Sequence, residues 1–318
     1  MNDLGEKRDA DDEVNSPQGS RIAFDDSSVE KLFSDPGRVL QDTQSFWQNE
    51  VPYRATVQWS ESTRVPIDYE NFKTVLAQLK GQTPEERKRH AAYVLSRKVM
   101  ESAPAFMSTA LPHVLSYVPT GTRINTVVRT ACFIPPWAYV SEDSVIINTS
   151  HKHWNNDLGM VLNIIIHELF HMGFGQYIEP IDFSKIKTPR QIGDLILMGL
   201  QSEGMATYVA YRARGLFPSS TVDPDYAMLD NKEQVRAMTA RINGLLELSK
   251  SESFENMRDA IWEVGSKSRC YYVVGAHMAS RIEDVLGREA LIETIPRRVR
   301  YFVDTHNALA LEDFWISY

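Results

Sequence analysis

Apolar residues recur along this chain mainly at helical spacing, with two short β-branched runs set between the helical stretches. Phe72, Val75, Leu76 and Leu79 share one face of a helix over 69–79, and Gly81 stops it. Thr83-Pro84-Glu85-Glu86 supplies a cap, a first-turn proline and acidic residues for a helix running to 100, and 104–117 predicts another. The runs 126–133 and 144–148 are β-branched, bounded by Gly121 and by Pro135-Pro136, and predict strands. From Met160 to Met172 the chain is apolar almost all round, the mark of a buried element. Ile164-Ile165-Ile166 alone would suit a strand, but Asn155, Asn156 and Asp157 offer caps and Gly173 and Gly175 a stop, so a helix is expected. A second buried helix runs through Ile192, Leu195, Ile196, Met198, Leu200, Val209 and Ala210. Helices over 234–248, 254–264, 270–285, 289–295 and from 297 onward complete the pattern, with no internal repeat.

Composition adds boundaries to this picture. A chain of 318 residues can bury a substantial core in one or two domains. Residues 1–28 are rich in Asp and Ser and lack an apolar stretch, so they read as a disordered tail, not a secretory signal. The expected division is an acidic tail over 1–30, a helical region over 31–118 and a catalytic domain over 119–318. A net charge of −8 argues against a nucleic-acid partner. No run of eighteen apolar residues predicts a membrane span, and none is expected. Cys132 and Cys270 are the two cysteines, expected to be free buried thiols in a reducing, cytoplasmic setting.

The chemistry concentrates in Ile166-His167-Glu168-Leu169-Phe170-His171. On a helix, residues four apart stack one turn apart on the same face, so His167 and His171 would aim two imidazoles at one ion. Glu168, one step round, would reach a water on that ion as a general base. In a strand the same rings would sit about 13 Å apart, too far for one metal. A histidine on an apolar helix is often an ordinary core residue, but two with a carboxylate between them need partners to offset desolvation. A catalytic Zn²⁺ needs a third protein ligand and one open position. Phe174 and Tyr177 stand where a metzincin has glycine and histidine. Glu203, in Ser202-Glu203-Gly204-Met205-Ala206-Thr207-Tyr208, is the better third ligand, with Glu179, Asp182 and Asp194 as rivals. Gly204 costs about 1 kcal/mol against alanine in a helix, which makes sense if another backbone passes close. Thr207, one turn on, is placed to orient a ligand from behind.

His167-Glu168-x-x-His171 followed by Ser202-Glu203-Gly204-Met205-Ala206-Thr207-Tyr208 resembles the gluzincin (HExxH…E) metallopeptidases, in particular the aminopeptidase N-like catalytic core. Tyr272-Val273-Val274-Gly275, with Ile282-Glu283 and Gly287 beyond, is similar to that family's Tyr-x-x-Gly helix. The likeness covers about 144–290 and is nearest to predicted zinc-dependent peptidases of bacteria with an HExxH…Glu-Gly-x-Ala core. It implies an α+β, zincin-like fold: a small mixed sheet, the HExxH helix beneath it and a helical lobe across the cleft. It also implies one Zn²⁺ per chain, peptide or protein substrates, and an oxyanion-stabilising role for Tyr272. By that analogy 137–140 is a candidate sheet edge for a substrate strand. Two features depart from the aminopeptidases: the segment around 179–190 is longer, and no Gly-x-Met-Glu-Asn stretch lies upstream.

Two other readings compete. A non-catalytic zinc-binding interaction module would close the site with a fourth ligand from His151, His153 or His277. A zinc hydrolase of small amides or epoxides would keep the chemistry in a narrow pocket. His151 and His153 are expected to alternate across a strand end and so to point apart. His277 is weighed as a second cleft donor against a core position, and Arg297, Arg298 and Arg300 as a carboxylate receptor against a solvated helix face.

Overall fold

A computed structural model describes residues 19–318 apart from 142, 180 and 298. Among them β1 (Arg21–Asp25), β2 (Asn125–Ala131), β3 (Ala138–Ser141) and β4 (Ser144–Asn148) form a mixed sheet in the order β1-β2-β4-β3. The first three neighbours run parallel, and β3 folds back antiparallel on β4 as an edge. β1 corrects the expected tail, which ran to residue 30. Arg21–Asp25 pairs along β2, and only Ile22 and its neighbours are apolar enough to reveal it. Residues 1–18 lie outside the described part of the chain.

Between β1 and β2 come α1 (Ser27–Ser34), α2 (Pro36–Gln41), α3 (Thr43–Asn49), α4 (Val51–Thr63), α5 (Tyr69–Lys80), α6 (Pro84–Lys88), α7 (Ala91–Glu101) and α8 (Ala103–Leu115). The single helix expected from 83 to 100 is two. Thr83 and Glu86 close a capping box on α6, and His90 starts α7 by accepting the Ala92 N–H at Nδ1. β4 is buried on both faces, as a strand between two layers must be. Ile146 meets the aromatic core of the N-terminal helices, with Phe46, Trp47, Tyr53 and Phe72. Val145 and Ile147 meet α7, α8 and the helix carrying the HExxH motif. Leu95, Val99 and Phe106 share that core with Leu162, Ile165 and Leu169, so packing is continuous across residues 118 and 119.

The rest of the chain is helical: α9 (Leu158–Phe174), α10 (Pro189–Ala213), α11 (Pro224–Leu229), α12 (Lys232–Leu248), α13 (Phe254–Ile261), α14 (Cys270–Leu286), α15 (Arg288–Glu293) and α16 (Val299–Asn307). α13 continues as a π-helical segment, Trp262–Lys267, where an α-helix was expected to 264. Leu158–Tyr177 has the length and hydropathy of a membrane span, but most of it is buried in the protein, and that burial accounts for its apolar character. Asp157 caps α9, accepting the Met160 N–H at Oδ1 and the Ser220 N–H and O–H at Oδ2. Cys132 and Cys270 are free and buried, and burial pushes the Cys132 thiol up to about 12.

Candidate metal centre

Helical periodicity turns Ile164, His167, Glu168 and His171 of α9 to the same side, where they line an open cleft of about 810 Å³. α10 brings Glu203 to the same point. Its Oε2 lies 3.3 Å from His167 Nε2 and 3.3 Å from His171 Nε2, and the two nitrogens are 3.0 Å apart. Ligands about 2.0–2.1 Å from a tetrahedral ion stand about 3.3 Å from one another. The three donors therefore already have the spacing that zinc requires. Among the described residues this group has three members, which leaves a tetrahedral ion one position for water or substrate.

Backbone contact explains how Glu203 arrives there. A Cβ on Gly204 would fall 2.2 Å from Gly275 Cα, and one on Gly275 would fall 2.0 Å from the Leu200 carbonyl oxygen. α10 and α14 thus cross backbone to backbone one residue from the ligand, as the sequence argument for Gly204 required. The same crossing seats Tyr272 of α14 in the cleft, its ring nearly parallel to His167 with centroids 6.0 Å apart. Thr207 makes no contact that would orient a ligand: its buried Oγ1 has no hydrogen-bond partner among the described residues. Ser202 takes that place, with Oγ 3.2 Å from His171 Nδ1. The rival ligands are elsewhere. Asp194 pairs with Arg300, Asp182 caps a short turn, and Glu179 is not in the group.

Burial and mutual charge set the titration of these groups. Burial holds His167 below the usual imidazole value. Burial opposes a charged His171 too, but Glu203 and Glu168 raise it above that value. Glu203 is held well below the usual carboxylate range, since the two rings outweigh its burial. Burial pushes Glu168 up to about 7, against the pull of His171 and Arg269. A carboxyl poised there can both take and return a proton near neutrality.

The cleft rim comes from distant segments. Trp137, Ala138, Tyr139 and Val140 line it, so the candidate edge is an edge strand, β3. The expectation that His151 and His153 point apart fails. β4 ends at Asn148, which bonds Trp154 Nε1 through its carbonyl, and a 3₁₀ turn at Lys152–Trp154 carries both rings to the cleft. His153 Nε2 lies 3.8 Å from Asp223, and its ring meets Trp137 edge to face at 4.0 Å. Arg269, not singled out by the sequence, forks onto buried Asp225 and covers Tyr272. Its one sequence signal was a cation three positions before a candidate catalytic tyrosine. His277 is not a cleft residue: it packs on His306 and Phe314. Arg297 pairs with Glu293, Arg300 with Asp194, and Arg298 lies outside the described residues.

Comparison with known proteins identifies a family but names no site residues. No curated protein and no solved structure matches the chain. Residues 71–313 match the model of a family described as "Putative zinc dependent peptidase (DUF5700)". The match runs from α5 to the final turn and takes in every residue of the three-donor set, so the cofactor is zinc and the chain belongs to this zinc dependent peptidase family.

Proposed function

We propose that this protein is a gluzincin-type metallopeptidase of zincin-like fold that hydrolyses internal or terminal peptide bonds in an extended substrate. The observation that carries the proposal is the convergence of His167, His171 and Glu203 within zinc-binding distance of one another beneath Glu168 and Tyr272. When bound, zinc supplies Lewis-acid chemistry, making a water molecule acidic near neutral pH and drawing electron density from a carbonyl. Glu168 takes the proton from the attacking water and passes it to the departing amine nitrogen. The Tyr272 hydroxyl donates to the carbonyl oxygen as negative charge develops there, a contact stronger in the transition state than in the ground state. Ser202 holds the His171 ring through Nδ1 and keeps its Nε2 turned to the ion.

The free edge of β3 offers main-chain hydrogen bonds to a substrate strand, and the aromatic rim offers apolar area for its side chains. An open cleft bordered by a strand edge suits a peptide better than the narrow closed pocket that a small amide or epoxide would need. A closed structural zinc site would need a fourth ligand in the group, and the described residues offer three.

The test is cleavage of a quenched-fluorescent peptide library by the zinc-loaded protein and by Glu168→Gln. The variant is expected to keep its zinc and lose roughly 10²–10⁴ in kcat. Full activity in Glu168→Gln would remove the general base from the account.

A further inference from the structure

No hydrogen bond holds the Tyr272 hydroxyl among the described residues, so the phenol is oriented by what touches its ring. The Arg269 guanidinium lies 3.2 Å from that ring's centroid and 5.2 Å from the centroid of Trp137. Its Nε donates to both oxygens of Asp225 at 3.0 and 3.1 Å, and Nη2 donates to Oδ2 at 2.6 Å. Asp225 is itself buried in the first turn of α11. A two-pronged fork onto a buried carboxylate fixes the plane of the guanidinium, which a single contact would not. The carboxylate also offsets the cation's charge, so a divalent ion nearby meets little added repulsion.

The backbone at this position gives a second, independent sign. Arg269 has φ 61° and ψ 18°, the left-handed region, at the junction of the π-helical segment and α14. Glycine or asparagine would make that turn at lower cost. An arginine there is explained by its side chain, which the turn directs back over a residue three positions ahead.

We propose that Arg269 is a positioning residue for Tyr272: anchored on Asp225, its guanidinium caps the phenol ring and holds the hydroxyl over the cleft beside His167. This rests on the reading of Tyr272 as the donor to the substrate carbonyl. A cation on the ring face attracts the ring and strengthens the hydroxyl as a donor toward growing negative charge. Asp225 acts one step further back, through the arginine.

The experiment uses the zinc-loaded full chain and a quenched-fluorescent peptide that it cleaves. Arg269→Gln is expected to lower kcat about ten- to thirty-fold with KM within about two-fold. Arg269→Lys, which keeps the cation without the fork, falls between. In a Tyr272→Phe background, Arg269→Gln should change kcat by less than about two-fold, because its effect passes through the phenol. A readout independent of turnover is ¹⁹F NMR of 3-fluorotyrosine at position 272, with and without zinc. Arg269→Gln should shift and broaden a resonance that is single and sharp in the parent protein. Losses that multiply in the double variant, or an unmoved resonance, overturn the proposal. Where Arg269→Gln does not fold, Asp225→Asn loosens the same fork and is held to the same criteria. Should the zinc-loaded parent protein cleave no peptide, the peptidase reading fails by itself, and the ¹⁹F experiment still decides the role of Arg269.

Discussion

The floor and the rim of the cleft are built in opposite ways. The floor is two long helices: α9 supplies His167, Glu168 and His171 within five residues, and α10 supplies Glu203 across a glycine-to-glycine crossing with α14. The rim gathers side chains from four separate stretches: Trp59 of α4, Trp137 beside β3, His151 and His153 in a turn, and Trp262 and Arg269 around the π-helical segment. Helices buried on nearly every side hold donor atoms to within tenths of an ångström, as a metal demands. Turns and short segments tolerate substitution and can be retuned for different substrates. Under the proposed function, the contrast assigns chemistry and selectivity to separable parts of the fold.

That separation predicts a graded response. Loss of the base at Glu168, already described, is the largest effect expected. The next is Gly275→Ala. Its new methyl would fall 2.0 Å from the Leu200 carbonyl oxygen, so α10 and α14 must part. We expect a loss of about 3 kcal/mol in urea unfolding. Zinc affinity should weaken with it, because Glu203 rides on the displaced helix. Gly275→Ala with the parent's unfolding midpoint would show that the crossing does not position the floor. The rim should respond least. His153→Ala removes a ring from Trp137 and from Asp223, 3.8 Å away, but touches no ligand. KM is expected to rise roughly two- to five-fold with kcat and zinc content unchanged. A loss of metal in that variant would erase the distinction between the two regions.

The same contrast decides what the sequence could reveal. The floor was legible because its signals are local: two histidines one turn apart, a carboxylate between them, and a glycine beside the second carboxylate that calls for a close backbone. Most helices and strands β2 and β4 were legible through periodicity. β1 was not, since five residues with one fully buried apolar side chain barely stand out from a polar stretch. The break between α6 and α7 was hidden because His90 caps through its ring nitrogen, a role its residue type rarely signals. The rim was nearly illegible. His151 and His153 were placed by strand alternation, but the strand had ended three residues before His151. Arg269 owes its importance to Asp225, 44 positions away, and no spacing rule joins two such residues. His277 had the right helix and the wrong face: five positions beyond Tyr272 is well over a full turn, and it points to the C-terminal segment.

The central claim is that Glu203 completes the zinc site formed by His167 and His171, and metal binding tests it without reference to any substrate. Zinc stoichiometry and competition with a chromophoric chelator should be measured on the parent protein and on Glu203→Ala, with unfolding followed in parallel. One tightly held zinc per parent chain is predicted, with affinity at least about a hundred-fold weaker in a folded Glu203→Ala. Equal stoichiometry and affinity in the two proteins would contradict the account.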